Sequence, residues 1–329
     1  MLDPVFQAAR RVLSQYLPQT RLVAAPSLQT SSEQKIYLKL EGELPTGSFK
    51  VRGAIYALST HQQTSGTREV VASSTGNHGA AVAYAAQLLG WKARIFLPEK
   101  NNPVKRNNIA RLGAIIEDRG AIDLAGAFEA AAEYSQRMGA FFLNDATDPD
   151  LPAGPGTVAC EIFEQLPAVD AIYAPMGDTA LIRGVASAAK QISRNVRIIG
   201  VQSERAPSYF LSWKAGRAIE TETCDTIADG LATRTPVAAN VDAIRGLVDD
   251  VVLASEKEML NAVGRLLVDE HSVAEPAGAA ATAAFLRSEA ETSATVVLLV
   301  TGANVSPEIL EQALKAYPGP RFDSYSAGE

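Results

Sequence analysis

Along the chain, short β-branched runs alternate with longer alanine-rich stretches whose apolar positions recur every three or four residues. The runs IYLKL (36–40), EVVAS (69–73), ARIFL (93–97), AIIE (114–117), AFFL (140–143), DAIYAP (170–175), RIIGVQ (197–202), DVVLA (250–254) and TVVLLV (295–300) predict strands. Several are apolar throughout, as strands covered on both faces are. Stretches between them, such as HGAAVAYAAQLLG and GTVACEIFEQL, carry helical spacing. This alternation predicts an α/β fold of parallel or mostly parallel sheets with helices on both faces. The opening MLDPVFQAARRVLSQYL predicts an amphipathic helix. The segment NDATDPDLPAGPGT (144–157), dense in Asp, Pro and Gly, predicts an irregular crossing between two lobes.

A length of 329 residues is long for one core and suits two lobes. The net charge of −7 offers no basic footprint, so no nucleic-acid partner is expected. No long apolar span points to a membrane. The N-terminus lacks a basic segment followed by an apolar block, and Cys160 and Cys224 cannot build a disulfide framework. A reducing cytoplasm is the expected location. His61, His78 and His271 lack metal-ligand spacing.

The stretch ELPTGSFKVRGA (43–54) plants Lys50 among turn-forming residues, directly before the helical pattern of Ala54, Ile55, Ala57 and Leu58. The positive end of a helix and partial burial both disfavour an ammonium. They predict a lowered pKa for Lys50, which a nucleophilic or Schiff-base lysine needs. In SSTGNHGAAVAYAA (73–86), a glycine-bearing turn opens a helix and offers free backbone N–H groups to an anion. APMGDTALIRGVASAAK (174–190) repeats that strand–turn–helix form around Gly177. Glu275 before Pro276 makes a favourable helix start. Thr301 follows TVVLLV, so its hydroxyl falls at a strand's C-terminal end, where open α/β sheets bind ligands.

Glu41, Gly42, Pro45, Thr46, Gly47, Ser48, Phe49, Lys50, Arg52, Gly53 and Ala54 together closely resemble the lysine signature of the β-family (fold type II) pyridoxal-phosphate enzymes. That family includes serine and threonine dehydratases, serine racemase, cysteine synthase and threonine synthase. Six stretches in family order, from about residue 41 to 306, carry the resemblance. It implies a two-lobed, tryptophan synthase β-like fold, with residues 1–64 and 148–329 as the large cofactor domain and 65–147 as the small substrate-carboxylate domain. The implied cofactor is pyridoxal 5′-phosphate, carried by Lys50 with Phe49 beside it. Ser74, Thr75, Gly76 and His78 would line the substrate-carboxylate loop, and Asn77 would meet the cofactor's phenolic oxygen. Backbone amides of Gly177, Asp178, Thr179, Ala180 and Leu181 would hold the phosphate. Here the chain departs from the family: of its glycine run only Gly177 remains. A carboxylate at Asp178 would repel a phosphate unless it points away or meets a cation such as Arg183. Gly230, in IADGLATRTP (227–236), and Glu275 would lie near the cofactor, and Thr301 against the pyridine nitrogen. The divalent-cation site of some relatives falls here on Gln202 and Ser208, with Glu204 offset, so no metal is expected.

The resemblance implies a hydroxyamino-acid dehydratase, or ammonia-lyase, acting on L-threonine or L-serine by α,β-elimination, with Lys50 as base at the α-carbon. The His of S-T-G-N-H and the EPAG segment favour elimination over β-replacement of the cysteine synthase type. Thr75 stands where serine racemases use a Ser as acid on the face opposite the lysine. The alternatives are a specialised dehydratase or racemase of another 3-hydroxy amino acid, or a β-replacement enzyme of the cysteine synthase type. The family is commonly dimeric, which implies a homodimer.

Overall fold

All nine apolar runs form strands in the computed structural model, which describes residues 2–64, 66–74, 76–100, 103–118, 120–288 and 294–319. Its strands are β1 (Leu22–Ala24), β2 (Lys35–Leu40), β3 (Glu69–Ser73), β4 (Lys92–Phe96), β5 (Ile115–Glu117), β6 (Phe141–Phe142), β7 (Ala171–Pro175), β8 (Arg197–Ser203), β9 (Asp250–Ala254) and β10 (Thr295–Val300). Its helices are α1 (Pro4–Leu13), α2 (Lys50–Thr64), α3 (Asn77–Leu89), α4 (Pro103–Arg111), α5 (Leu124–Met138), α6 (Ala153–Gln165), α7 (Ala180–Ile192), α8 (Ser208–Ala215), α9 (Ala238–Leu247), α10 (Glu256–Val268), α11 (Pro276–Arg287) and α12 (Pro307–Ala316).

The strands form two sheets. One has the order β1-β2-β10-β7-β8-β9, the other β5-β4-β3-β6. Among the described residues every strand pairing is parallel except β1 with β2, where Val23 lies opposite Leu38. The central strand β7 is buried along its whole length, as its unbroken apolar run requires. Local signals fix the helix ends. Asp3 caps α1 by accepting from the Val5 N–H ahead of Pro4, and Gly90 closes α3 in the left-handed region. Ser255 and Glu258 form a reciprocal capping box on α10.

The segment 144–157 corrects the sequence reading. Its first part is an irregular crossing, but α6 begins at Ala153 and takes in Gly154, Pro155 and Gly156. Those glycines serve close packing rather than a loop. A Cβ on Gly154 would stand 2.5 Å from the Arg52 carbonyl carbon, and one on Gly156 would enter the Phe6 ring. Pro155 sits in the first turn, where no intrahelical N–H is needed.

The fold positions a site at one edge. The turns after β2, β3, β6, β7 and β10 all leave the carboxyl ends of their strands, the side on which parallel sheets expose helix N-termini.

Candidate active site

Lys50 begins α2, as its position before the apolar pattern predicts. Its Nζ donates to Asp145 Oδ2 at 2.5 Å, and both side chains are mostly buried. Asp145 lies in the crossing after β6 and carries no motif in the sequence. Burial pushes Lys50 down, but the charges of Asp145, Asp178 and Glu275 and the hydrogen bond that Lys50 donates to Asp145 outweigh it. The net direction is up, which overturns the expected lowering. The helix end and burial are legible in the sequence; three carboxylates distant in the chain are not. Burial would raise Asp145, yet Lys50 and His78 hold it well below the usual carboxylate range.

The turn after β3 enters α3 at Asn77. Asn77 Nδ2 donates to Glu275 Oε1 at 2.6 Å, and Asn304 Nδ2 donates to Asn77 Oδ1 at 2.7 Å. His78 is buried, with Nε2 3.0 Å from the Leu143 carbonyl. A carbonyl only accepts, so Nε2 carries the hydrogen and Nδ1 faces Asp145 Oδ2 at 4.0 Å. Burial is the main cause of a lowered His78 pKa, which favours the neutral ring. Ser74 and Gly76 lie in the same turn, where Ser74 Oγ accepts from the Gly76 N–H at 3.3 Å. Thr75, assigned a catalytic role from the sequence, lies outside the described residues.

Gly177 lies in the turn after β7, and a Cβ there would collide with the Gly230 carbonyl. These two predicted residues therefore pack against each other through their backbones. Thr179 caps α7 with φ +68°, a left-handed conformation costly for a β-branched residue. Its Oγ1 accepts from Arg183 Nε at 3.1 Å. Ala180, Leu181 and Ile182 form the first turn of α7, whose N–H groups have no partners within the helix. Asp178 Oδ1 accepts from Thr233 Oγ1 at 3.1 Å. Burial and the Asp145 charge push Asp178 up to about 6, against the opposing pull of Lys50 and Arg183.

Thr301 is buried after β10, and its carbonyl accepts from the Phe49 N–H at 3.0 Å. That bond and the Ser48–Gly302 bridge place the lysine turn directly against the β10 turn. Gly302 is required here, because a Cβ on it would strike Glu275 Oε1. Asn304 and Thr233, which sequence reasoning missed, complete this wall; both lie in polar loops without a local signal. Gln202 Oε1 accepts from the Phe210 N–H at 2.9 Å, and Ser208 Oγ donates to the Thr233 carbonyl at 2.6 Å. Among the described residues no group of three or more His, Cys, Asp or Glu is arranged to hold a metal.

The residues present fit a cofactor with an aldehyde and a phosphate. Lys50 supplies the amine, and the α7 start supplies free N–H groups for an anion. Ser48 Oγ, buried two residues before Lys50, finds no partner among the described residues. Asp178 is discordant with a phosphate beside it. Burial and the Asp145 charge raise its pKa, which favours the neutral form that can stand beside an anion.

Fold and site together define an α/β enzyme whose amine-bearing lysine faces the anion-binding starts of neighbouring helices. Residues 13–302 match the model of the pyridoxal-phosphate dependent enzymes, and the chain belongs to that family. It is 35% identical to the L-threonine ammonia-lyase of Thermotoga maritima, over 93% of this chain and 76% of that protein. It is 31% identical to the catabolic L-threonine dehydratase of Escherichia coli, over 92% of this chain and 93% of that one. Among solved structures, maize serine racemase superposes with a TM-score of 0.86 at 29% identity, covering 94% of this chain and 96% of that chain. The processed form of threonine deaminase isoform 2 from Solanum lycopersicum does so with a TM-score of 0.87 at 28% identity, covering 95% of this chain and 88% of that chain.

Proposed function

We propose that the chain is a pyridoxal-phosphate-dependent ammonia-lyase that converts L-threonine or L-serine to a 2-oxo acid and ammonia. The observation that carries this reading is the meeting of Lys50 with the α3 start, the α7 start and Glu275 at the carboxyl ends of two sheets. Similarity to ammonia-lyases over most of the chain supports the same reaction class.

When bound, the cofactor supplies an electron sink for the charge left by loss of the α-proton. Lys50 Nζ takes that proton, acting as general base in its neutral form. The turn Ser74–His78 binds the substrate carboxylate and fixes the α-carbon toward the lysine. Asn77, held between Glu275 and Asn304, orients the cofactor ring. Backbone N–H groups from Gly177 to Leu181 would receive the phosphate, with Gly230 packed against Gly177 beside it. The Thr301 hydroxyl would partner the ring nitrogen without carrying charge. In the balance, the α C–H and β C–O bonds break, water leaves, and the enamine product hydrolyses to 2-oxo acid and ammonia. Neutral His78, fixed on the Leu143 carbonyl, lines the substrate side without adding a charge.

Residues 65–147 act as the small substrate-side domain against 1–64 and 148–329. The protein works in the cytoplasm as a homodimer. No helix among the described residues is long and apolar enough to cross a membrane.

The test is 2-oxo acid release from purified protein with pyridoxal phosphate and either L-threonine or L-serine. Turnover of one or both is expected, together with its loss in Lys50→Ala. Unchanged turnover in Lys50→Ala would overturn the mechanism.

A further inference from the structure

Asp145 belongs to no motif, yet it makes the closest polar contact to Lys50 Nζ, at 2.5 Å. The segment presenting it is held on both sides. The Ala146 N–H donates to Asn144 Oδ1 at 2.9 Å, and Asp148 Oδ1 accepts from the Asp150 and Leu151 N–H groups at 3.0 and 2.9 Å. The Ala146 carbonyl accepts from Asn240 Nδ2 on α9 at 2.9 Å and from Arg183 Nη2 on α7 at 3.4 Å. His78 Nδ1 stands 4.0 Å from the same carboxylate oxygen that Lys50 contacts. A carboxylate placed by five hydrogen bonds around it has little freedom to leave its lysine.

We infer that Asp145 is a positioning residue for Lys50: its carboxylate anchors Nζ at the mouth of the site and holds a proton on it. The inference deepens the functional reading above and rests on it only for the role of Lys50 as the reacting amine. An amine attacks a carbonyl, or takes a proton from carbon, only when neutral. The proton that Asp145 stabilises on Nζ must therefore leave before either event. Asp145 then sets how readily Lys50 becomes reactive as pH rises.

Other charges face the same amine. Asp178 from the β7 turn and Glu275 at the α11 start add negative potential, and Arg183 on α7 offsets Asp178. His78 on α3 is kept neutral by burial. The α2 start opposes the ammonium. Asp145 differs from Asp178 and Glu275 in acting on Lys50 through a hydrogen bond as well as through charge.

The experiment uses the full chain freed of pyridoxal phosphate. Acetylation of Lys50 by a small amine-directed reagent is followed against pH by peptide mass spectrometry, in wild type, Asp145→Asn and Asp145→Glu. In Asp145→Asn the labelling midpoint should move down by about one pH unit, giving roughly tenfold faster labelling at any pH below it. Asp145→Glu should restore most of the wild-type profile. Identical profiles in wild type and Asp145→Asn overturn the inference, as does an Asp145→Glu profile that matches Asn. Asp145→Ser, a second neutral variant, decides the matter should the amide fail to fold. Labelling reads Lys50 directly, so a failure of threonine turnover with the expected shift would sink the functional reading and leave this one standing.

Discussion

Asn77 Nδ2 donates to Glu275 Oε1 at 2.6 Å, tying the start of α3 to the start of α11 across the two sheets. A Cβ on Gly302 would collide with Glu275 Oε1 and stand 3.4 Å from Asn77 Nδ2, so the carboxylate would have to move. Gly302→Ala should therefore displace Glu275 and rotate Asn77 from its place. A misplacement of about 1 Å in a catalytic arrangement costs on the order of 100-fold in rate. Steady-state turnover of threonine should fall by about that factor, with the chain still folded by circular dichroism. Activity within about twofold of wild type would show that the Asn77–Glu275 link does not orient the site.

Asp178 provides a pH signature. Its folded value near 6 exceeds the ordinary 3.8, so the folded chain binds this proton more tightly than the unfolded chain. Stability from this group therefore falls as pH rises from about 4 to about 6, and stays lower above that. The full span corresponds to at most about 3 kcal/mol at roughly 1.4 kcal/mol per unit. Asn at 178 keeps an oxygen for Thr233 and carries no charge. Asp178→Asn should be about 1–3 kcal/mol more stable than wild type at pH 7 and equal to it below pH 4. Urea unfolding of the cofactor-free protein at the two pH values measures the difference. A gap that persists at pH 3.5 would refute the assignment.

Thr179 separates strain from hydrogen bonding at the α7 start. Its left-handed backbone costs about 1–2 kcal/mol for a residue with a Cβ. Glycine removes that cost but adds about 0.5–1 kcal/mol of unfolded-chain entropy and loses the bond from Arg183, worth about 1 kcal/mol. Thr179→Gly should therefore unfold close to wild type. Thr179→Ala keeps the strain and loses the bond, so it should be about 1 kcal/mol less stable than the glycine variant. Guanidinium midpoints of the three proteins give the comparison, and alanine more stable than glycine would contradict it.

How far the site was legible in the sequence follows from how local each signal is. Lys50, Asn77, Glu275 and Thr301 each mark the end of a strand or the start of a helix, so short patterns locate them. β1 escaped notice because three residues, Leu22–Ala24, are too few to show a period, and it pairs antiparallel at an edge. Gly154 and Gly156 read as loop residues because a glycine needed for helix packing looks like one needed for a turn. Asp145 was invisible as a site residue because its importance lies in a contact with Lys50, 95 positions away. The same limit hid the rise in the Lys50 pKa, which depends on carboxylates from three other segments.

The lysine turn is anchored from beneath by a buried charge network. Arg52, two residues beyond Lys50, donates through Nε to Glu41 Oε2 at 2.7 Å and through Nη1 to Glu161 Oε1 at 2.6 Å. Lys39, fully buried on β2, directs its three N–H donors to Glu161 Oε2 at 2.6 Å, the Thr20 carbonyl at 2.8 Å and Gln165 Oε1 at 3.1 Å. Glu161 thus contacts both cations, while Glu41 contacts the arginine and acts on Lys39 only through its charge. Removing one partner of a buried pair costs about 3–5 kcal/mol, because a charge stays buried without its counter-ion. Glu161→Ala should fall in that range, with most of the loss at Lys39, since Arg52 keeps Glu41. Burial already pushes Lys39 below its ordinary 10.5, and loss of Glu161 should lower it further. The unfolded chain then binds this proton more tightly than the folded one, so stability gains as pH rises toward 10.5. The deficit of Glu161→Ala in denaturant unfolding should accordingly shrink between pH 7 and pH 9. A deficit that stays constant over that interval would place the loss on Arg52 instead.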